Sequence, residues 1–381
     1  MSGGVDSSVT AALLKEEGHE VAGATIRTWA SDTCSTRNTR ACCGLTGVED
    51  ARDVAERLEI RYWVFNFEEE FKRHVVDYFA KEYFAGRTPN PCIACNEHIK
   101  FRLFFKRARQ LGFDTIATGH YARLGYDEPR QSYFLEEGED PSKDQSYVLF
   151  PLGQEILSHL HLPLGHWKKT QIREKAHQLG LLSVMEKPDS QEICFIPSND
   201  HGAFLEREFA APKGPGVIRT RDGKILGTHT GHYQYTRGQR RGLGVAHSEK
   251  LYVLETIPET NEVIVGTKLE GFESECVVRR INWLLKPQES RLNAHVKIRS
   301  QHSKALASIE ILKDDEARVI FDEPQEAVTP GQAAVFYEGP RVIGGGWIES
   351  SLRGDIPDKA EAILESRLLR RPPKDTADSS Q

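Results

Sequence analysis

The segment Ser2-Gly3-Gly4-Val5-Asp6-Ser7-Ser8 places two glycines, a carboxylate and two hydroxyls directly before a helical pattern. Glycines at such a turn let backbone N–H groups approach an anion with no Cβ in the way. The helix start adds its own N–H groups and the positive end of its dipole. Ser7 and Ser8 offer hydroxyl donors to phosphate oxygens, and Asp6 offers a ligand for Mg²⁺. No lysine follows the glycines, so this is not the GxxxxGK[ST] loop of ordinary nucleotide hydrolases. The chemistry suggested is a grip on the phosphate end of a nucleotide. The plainer alternative is a Ser/Gly-rich helix cap that holds no ligand.

Sulfur chemistry is the second signal. Thr88-Pro89-Asn90-Pro91-Cys92-Ile93-Ala94-Cys95-Asn96 is a proline-stiffened loop with a CxxC that feeds a helix begun near Glu97. A thiolate at a helix start is stabilised by the dipole, with Lys100 one turn on. CxxC alone fits redox, zinc and iron–sulfur uses. Cys194, in Asp189-Ser190-Gln191-Glu192-Ile193-Cys194-Phe195, reads locally as a core thiol or a nucleophile. Cys34, Cys42 and Cys43 lie in a polar loop whose spacing matches no common zinc pattern. Lys143-Asp144-Gln145-Ser146 is another polar loop. Thr236 to Gly244 (TRGQRRGLG) is a compact basic cluster, with Arg240 and Arg241 suited to phosphates.

These residues must be positioned by an alternation of strands and helices. Val21 to Trp29, Arg61 to Phe67 and Thr115 to Thr118 read as strands. Helical stripes run through Val48–Leu58, Phe71–Phe79, Phe101–Leu111 and Lys168–Leu179. That alternation predicts a mostly parallel α/β sheet with its ligands beyond the carboxyl ends of the strands, where Ile26 and Gly119-His120 fall. A phosphate loop of this kind normally follows a buried strand, so a strand encoded upstream of Met1 is expected. After about residue 205 glycines punctuate short segments, and from about 276 six short β-runs predict a small barrel. The expected units are 1–204, 205–275, 276–351 and a polar, disordered tail over 352–381.

At 381 residues the chain has room for two or three cores. The sequence has no run of about 18 apolar residues and no secretory pattern, which points to the cytoplasm. Its seven cysteines are then expected as thiols or ligands, not as a disulfide framework. A net charge of −6 does not advertise nucleic acid, so local basic clusters carry that argument.

Seven motifs occur in order: SGGVDSS, TPNPCxxCNxxIKF, ATGHYAR, KDQSY, DSQEICFIP, YTRGQRRGLG and TPGQAAVFY. Together they resemble the bacterial tRNA-specific 2-thiouridylases of the ATP pyrophosphatase superfamily, over nearly the whole chain to about residue 350. The resemblance implies a Rossmann-like ATP pyrophosphatase domain, a small central domain and a C-terminal β-barrel. The implied activity is ATP-dependent replacement of the 2-oxygen of the wobble uridine by sulfur, in tRNAs with anticodons of the Lys, Glu and Gln type. Cys95 becomes the nucleophile and Cys194 the persulfide carrier, with a disulfide between them as an end state. ATP and Mg²⁺ fall to Ser2, Gly3, Gly4, Val5, Asp6, Ser7, Ile26 and Gly119. The tRNA falls to Asn90, Pro91, Cys92, His120, Lys143, Asp144, Gln145, Arg299, Ser300 and Gln332, and a sulfur-donor protein is the second partner.

The chain departs from the family pattern in three ways. The first strand is missing, Ser300 stands where an aromatic is common, and Cys92 stands where Asp is common. Cys92, Cys95 and Cys194 together would suffice as ligands of a [4Fe-4S] cluster with one open iron. Two other readings compete: a different adenylating enzyme of the superfamily, such as an amidotransferase-type synthetase, and a non-catalytic RNA- or iron–sulfur-binding protein. The first also includes a different tRNA thiolase; the paired thiols disfavour only the amide-forming synthetase, and the intact Asp6, Ser7 and Ser8 disfavour the second.

Overall fold

The computed structural model describes residues 1–29, 45–181, 193–196 and 198–353. The expectations on Cys34, Cys42 and Cys43, on Asp189 to Glu192 and on the tail beyond 353 lie outside the described residues. The first helix, α1 (Val5–Glu16), starts directly from the glycine loop. β1 (Ala22–Arg27) and β2 (Arg61–Asn66) pair in parallel across α2 (Leu45–Arg57), with Ala22 opposite Arg61. Met1 lies against β1: its amine donates to the Ala24 carbonyl, and its carbonyl accepts from Thr25 Oγ1 at 2.6 Å.

Two longer helical runs follow, α3 (68–84) and α4 (91–110). Within α4 the turns Cys95–Leu103 are wider, with i→i+5 bonding, and Cys95 opens that stretch. Then come β3 (Ile116–Ala117), a hairpin of β4 (Ala122–Asp127) and β5 (Ser132–Glu137), and β6 (Leu160–His161), which pairs in parallel with β3. Helices α5 (Lys169–Gln178) and α6 (His201–Glu208) complete this part. Val5, Val9 and Leu13 of α1 bury against Ile172 and Ala176 of α5.

The middle part is a four-stranded sheet of β7 (Gly216–Thr220), β8 (Ile225–His229), β9 (Tyr252–Ile257) and β10 (Glu262–Gly266), in the order β8-β7-β10-β9. Its strands enclose Ile218, Val253, Val263 and Val265. The C-terminal part has six strands: β11 (Phe272–Trp283), β12 (Arg291–Lys297), β13 (Ala305–Lys313), β14 (Glu316–Glu326), β15 (Ala333–Glu338) and β16 (Arg341–Leu352). They run β11-β14-β13-β12-β15-β16, and β11 pairs again with β16, so the barrel closes around Val278, Val296, Ile309, Val319 and Phe336.

The β4–β5 hairpin was not legible in the sequence. It extends the barrel sheet through Leu135 opposite Val342. Leu135 is buried toward the first domain and Phe134 toward the barrel, so alternation is lost. Its acidic residues look like loop but are paired, Glu137 with Lys304 at 2.8 Å and Glu136 with Arg341 at 3.3 Å.

The first domain and the barrel share one core. Ile93, Phe101 and Phe105 of α4 pack with Tyr147, Phe150 and the barrel's Ala333, Val335 and Tyr337. Complete burial of one such aromatic contributes about 1.5–3 kcal/mol. The opposite face of α4, with Ala94, Cys95 and Ile99, packs against α3 and α6. Beside Cys95, the loop before α4 is bound by the barrel. Thr88 N–H donates to the Pro330 carbonyl at 2.9 Å, and Gln332 Nε2 donates to the carbonyls of Thr88 at 3.0 Å and Pro89 at 3.2 Å. Gly331, at φ +90°, leaves no room for a Cβ, which would lie 3.0 Å from both Thr88 N and O. Gly331→Ala should therefore cost about 1–3 kcal/mol of stability from backbone strain, read as a lower urea midpoint; an unchanged midpoint would show that this contact is not formed in solution.

Candidate active site

Gly3 adopts φ +69°, and a Cβ there would run into the Gly47 carbonyl at the start of α2. Only glycine fits this corner of the loop. Gly4 is the N-cap of α1 and supplies no side-chain cap, so the first-turn N–H groups have no intrahelical acceptor. Ser7 Oγ accepts from Ser2 N at 3.0 Å and donates to the Gly4 carbonyl at 3.2 Å. Ser8 does not face an anion. It is fully buried and donates to the Gly4 carbonyl at 2.9 Å, which removes it from the expected phosphate donors. Gly119 seals the other side, where a Cβ would meet Ser7 N at 3.0 Å. Ile26 is half-buried near the end of β1. Gly3 and Gly119 thus keep the loop at the start of α1 closed to side chains on both sides.

Asp6 is held by residues that the motif does not contain. Lys169, the first residue of α5, donates to both carboxylate oxygens at 2.8 Å, and Tyr121 Oη donates to Oδ1 at 2.7 Å. Asp140 in turn accepts from Lys169 N at 3.0 Å. Lys169 was seen in the sequence only as part of a basic amphipathic helix, and Tyr121 only as part of ATGHYAR. The separation in sequence gave no sign that they converge.

On the sulfur side, Asn90 caps α4 by accepting from Ile93 N at 3.3 Å, and Pro91 takes the first helical position. Cys95 is buried and Cys92 exposed. Cys194 is exposed, but its neighbours Ile193 and Phe195 pack into the same apolar cluster as Cys95. Phe195 stacks edge-on against Phe71 and Phe79 of α3, so Cys194 is held beside the apolar cluster that contains Cys95. The three-cysteine metal set is not formed: among the described residues no group of three or more Cys, His, Asp or Glu converges to hold a metal. Cys92 is exposed and Cys95 buried, one turn apart.

Asn96, also missed in the sequence, is buried beside Cys95 and donates to the Val148 carbonyl at 3.1 Å, tying α4 to the segment after Lys143. In that segment Asp144 is buried. It accepts from Gly138 N at 3.1 Å and Ser146 N at 3.0 Å, and lies 3.5 Å from Lys297 of the barrel. Gln145 Oε1 accepts from Tyr121 N at 3.0 Å. Asp144, Gln145 and Gln332 are therefore committed to contacts within the chain, where the sequence had suggested RNA. Arg299 donates to the Glu326 carbonyl at 3.0 Å, and Ser300 is exposed on a turn. In the basic cluster Arg237 pairs inward with Glu273 and Ser351, whereas Arg240 and Arg241 are exposed.

Family models match three consecutive stretches: a "tRNA methyl transferase HUP domain" over residues 1–198, a "tRNA methyl transferase PRC-barrel domain" over 202–267 and an "Aminomethyltransferase beta-barrel domain" over 273–348. Full-length relatives are more specific. The chain is 49% identical over 357 residues to "tRNA-specific 2-thiouridylase MnmA" of Geobacter metallireducens, covering 92% of this chain and 96% of that one. The same-named proteins of Geotalea uraniireducens and Carboxydothermus hydrogenoformans are 49% and 47% identical, each over 92% of this chain and over 94% and 97% of their own lengths. The chain belongs to the tRNA-specific 2-thiouridylase family.

In this thiouridylase His120 lies between the glycine loop and α4. It directly follows Gly119, and its ring lies 5.6 Å from that of Phe101 on the thiol helix. Thr118 Oγ1 and His120 Nδ1 are 2.9 Å apart. Burial first, and then the charge of Lys100, push its pKa down to about 3. The imidazole is therefore neutral at physiological pH and acts through hydrogen bonding and shape, not as a cation. Because the folded value lies below the ordinary 6.5, its contribution to stability is complete above pH 6.5 and is lost as pH falls toward 3. His120→Asn should therefore show a smaller drop in urea midpoint between pH 7.5 and pH 5 than wild type; equal drops would mean that the ring is not buried neutral.

Proposed function

We propose that this protein thiolates tRNA uridine at the wobble position in two chemical halves that meet at Gly119-His120. The observation that carries this reading is that Gly119 abuts the anion loop at Asp6 and Ser7, while the ring of His120 packs on α4 six residues from Cys95. Gly119-His120 therefore links the anion loop to the helix that carries Cys95. ATP lies with its phosphates on the Gly3–Ser7 loop, toward Ser2, Val5 and Ile26. Mg²⁺, when bound, would be held by Asp6 and would offset charge on the pyrophosphate.

The uracil 2-oxygen attacks the α-phosphorus of ATP and pyrophosphate leaves. The carbonyl oxygen is now part of a good leaving group. The terminal sulfur of a Cys194 persulfide attacks C2, and AMP leaves with the original oxygen. The Cys95 thiolate then attacks Sγ of Cys194, which releases the thiocarbonyl and leaves a Cys95–Cys194 disulfide. The two electrons that reduce the transferred sulfur come from that thiol pair, and an external dithiol restores it. A sulfur-donor protein reloads Cys194. The base leaves the anticodon stack to reach the thiols, near Asn90, Pro91, Cys92, His120 and Lys143. Arg240, Arg241, Arg299 and Ser300 grip the RNA backbone, while Asp144, Gln145 and Gln332 hold the loops that present it. No helix among the described residues is long and apolar enough to cross a membrane, and we place the reaction in the cytoplasm.

Thiolation of tRNA transcripts with ATP and a persulfide donor tests the reading. Asp6→Ala, Cys95→Ser and Cys194→Ser should each lose activity by orders of magnitude, while Cys92→Ser keeps a substantial part of it and the active wild type carries no iron. Stoichiometric iron lost together with activity in Cys92→Ser would replace the persulfide route with a cluster. For the grip, replacing Arg240 and Arg241 by Ala should weaken tRNA binding and reduce its salt slope by up to about 2 phosphate contacts; an unchanged slope would place both arginines away from RNA.

A further inference from the structure

The glycine loop lacks the lysine that commonly accompanies phosphate glycines, and the fold supplies one from 163 positions away in sequence. Lys169 is 7% exposed, and its ammonium donates to both oxygens of Asp6 at 2.8 Å. Its backbone is fixed by Asp140, and its ammonium also lies 5.8 Å from the centre of the Tyr121 ring. With Tyr121 Oη added, Asp6 receives three donor contacts. An ammonium bonded to both oxygens competes with a hard divalent cation for the lone pairs of Asp6. Asp6 is the second residue of α1, so its side chain, and the ammonium upon it, stand beside the first-turn N–H groups that would receive phosphate.

We propose that Lys169 holds the cation position on Asp6 in the empty enzyme and passes its ammonium to a phosphate oxygen of ATP when Mg²⁺ takes Asp6. This inference rests on the assignment of ATP to the Gly3–Ser7 loop. Charge favours the exchange. Asp6 alone would present a negative site to a polyanion, and Lys169 neutralises it. After the exchange the carboxylate faces Mg²⁺ and the ammonium faces phosphate, so neither is left buried without a partner at either stage. Lysine suits the task because its charge is a compact point on a flexible stem that can swing between two oxygen acceptors.

The test is the affinity for ATP by titration calorimetry, at saturating Mg²⁺ and in chelator, on the full chain. Losing one charge-assisted hydrogen bond to phosphate should weaken ATP binding by Lys169→Met about tenfold or more at saturating Mg²⁺. The same variant should reach half-saturation at a lower Mg²⁺ concentration, because nothing competes for Asp6. A lysine that merely braced Asp6 would raise the Mg²⁺ requirement instead. Asp6→Asn should bind ATP in chelator more tightly than wild type, since Lys169 is released toward phosphate. The double variant Asp6→Asn/Lys169→Met should lose that gain; it leaves no lone charge, so it serves if Lys169→Met fails to fold. Wild-type ATP affinity in Lys169→Met, a raised Mg²⁺ requirement, or no gain in Asp6→Asn would overturn the inference. Gly3→Ala separates the two levels. If it abolishes ATP binding while Lys169→Met does not alter it, the loop stands as the ATP site and only the lysine exchange fails. If Gly3→Ala binds ATP normally, the loop assignment fails and the exchange fails with it.

Discussion

The contact on which the rest of the molecule depends is the seating of Pro330, Gly331 and Gln332 on Thr88 and Pro89. It joins one backbone hydrogen bond to two that the Gln332 side-chain amide donates to backbone carbonyls. Arg87, one residue earlier, adds ion pairs to Glu82 at 2.8 Å and to Glu349 of the barrel at 3.1 Å. Together they fix the entry of α4, and so the height and angle of Cys95, relative to the barrel. Backbone contacts tolerate little drift, because each buried peptide group must keep its partner. The barrel and the helix that carries the thiol are thereby tied together at that entry.

Continuity of polar contacts is the second organising feature. Lys297 of the barrel neighbours Asp144, Gln145 holds Tyr121, Tyr121 holds Asp6, and Lys169 closes on Asp6 with Asp140 behind it. Residues that resemble RNA contacts in the motif KDQSY instead pass position from one domain to the next. Asp144 and Gln145 each accept from backbone N–H groups within the chain. The middle sheet is tied in by Arg237, whose partners Glu273 and Ser351 belong to the barrel. That pairing separates it from Arg240 and Arg241, which share its motif and face solvent.

Much of this was legible in the sequence because the signals were local. The glycine loop and α1, the Asn-Pro start of α4, the strand–helix alternation and the six β-runs of the barrel each follow from residue types within a few positions of one another. Ser2 to Asp6 announced an anion site, and Cys92 to Asn96 a thiol at a helix start. Local signals also misled. The β4–β5 hairpin went unread, because its charges find partners only after folding. Ser8 looked like a phosphate donor, because nothing in the sequence says which serine the first turn buries.

The sequence by itself determined the kinds of chemistry available: an anion loop without a lysine, thiols at positions 92, 95 and 194, and arginines at 240 and 241. Only the tertiary structure decided how they combine. It brought Lys169 to Asp6 across 163 positions, left Cys92 exposed and Cys95 buried, and set Gln332 against the loop that precedes them. The physical reason is that residue type and spacing fix local geometry, such as caps, turns and faces. Pairing between distant side chains depends on which elements share a core and on how each buried charge is satisfied, and those are properties of the packed chain as a whole.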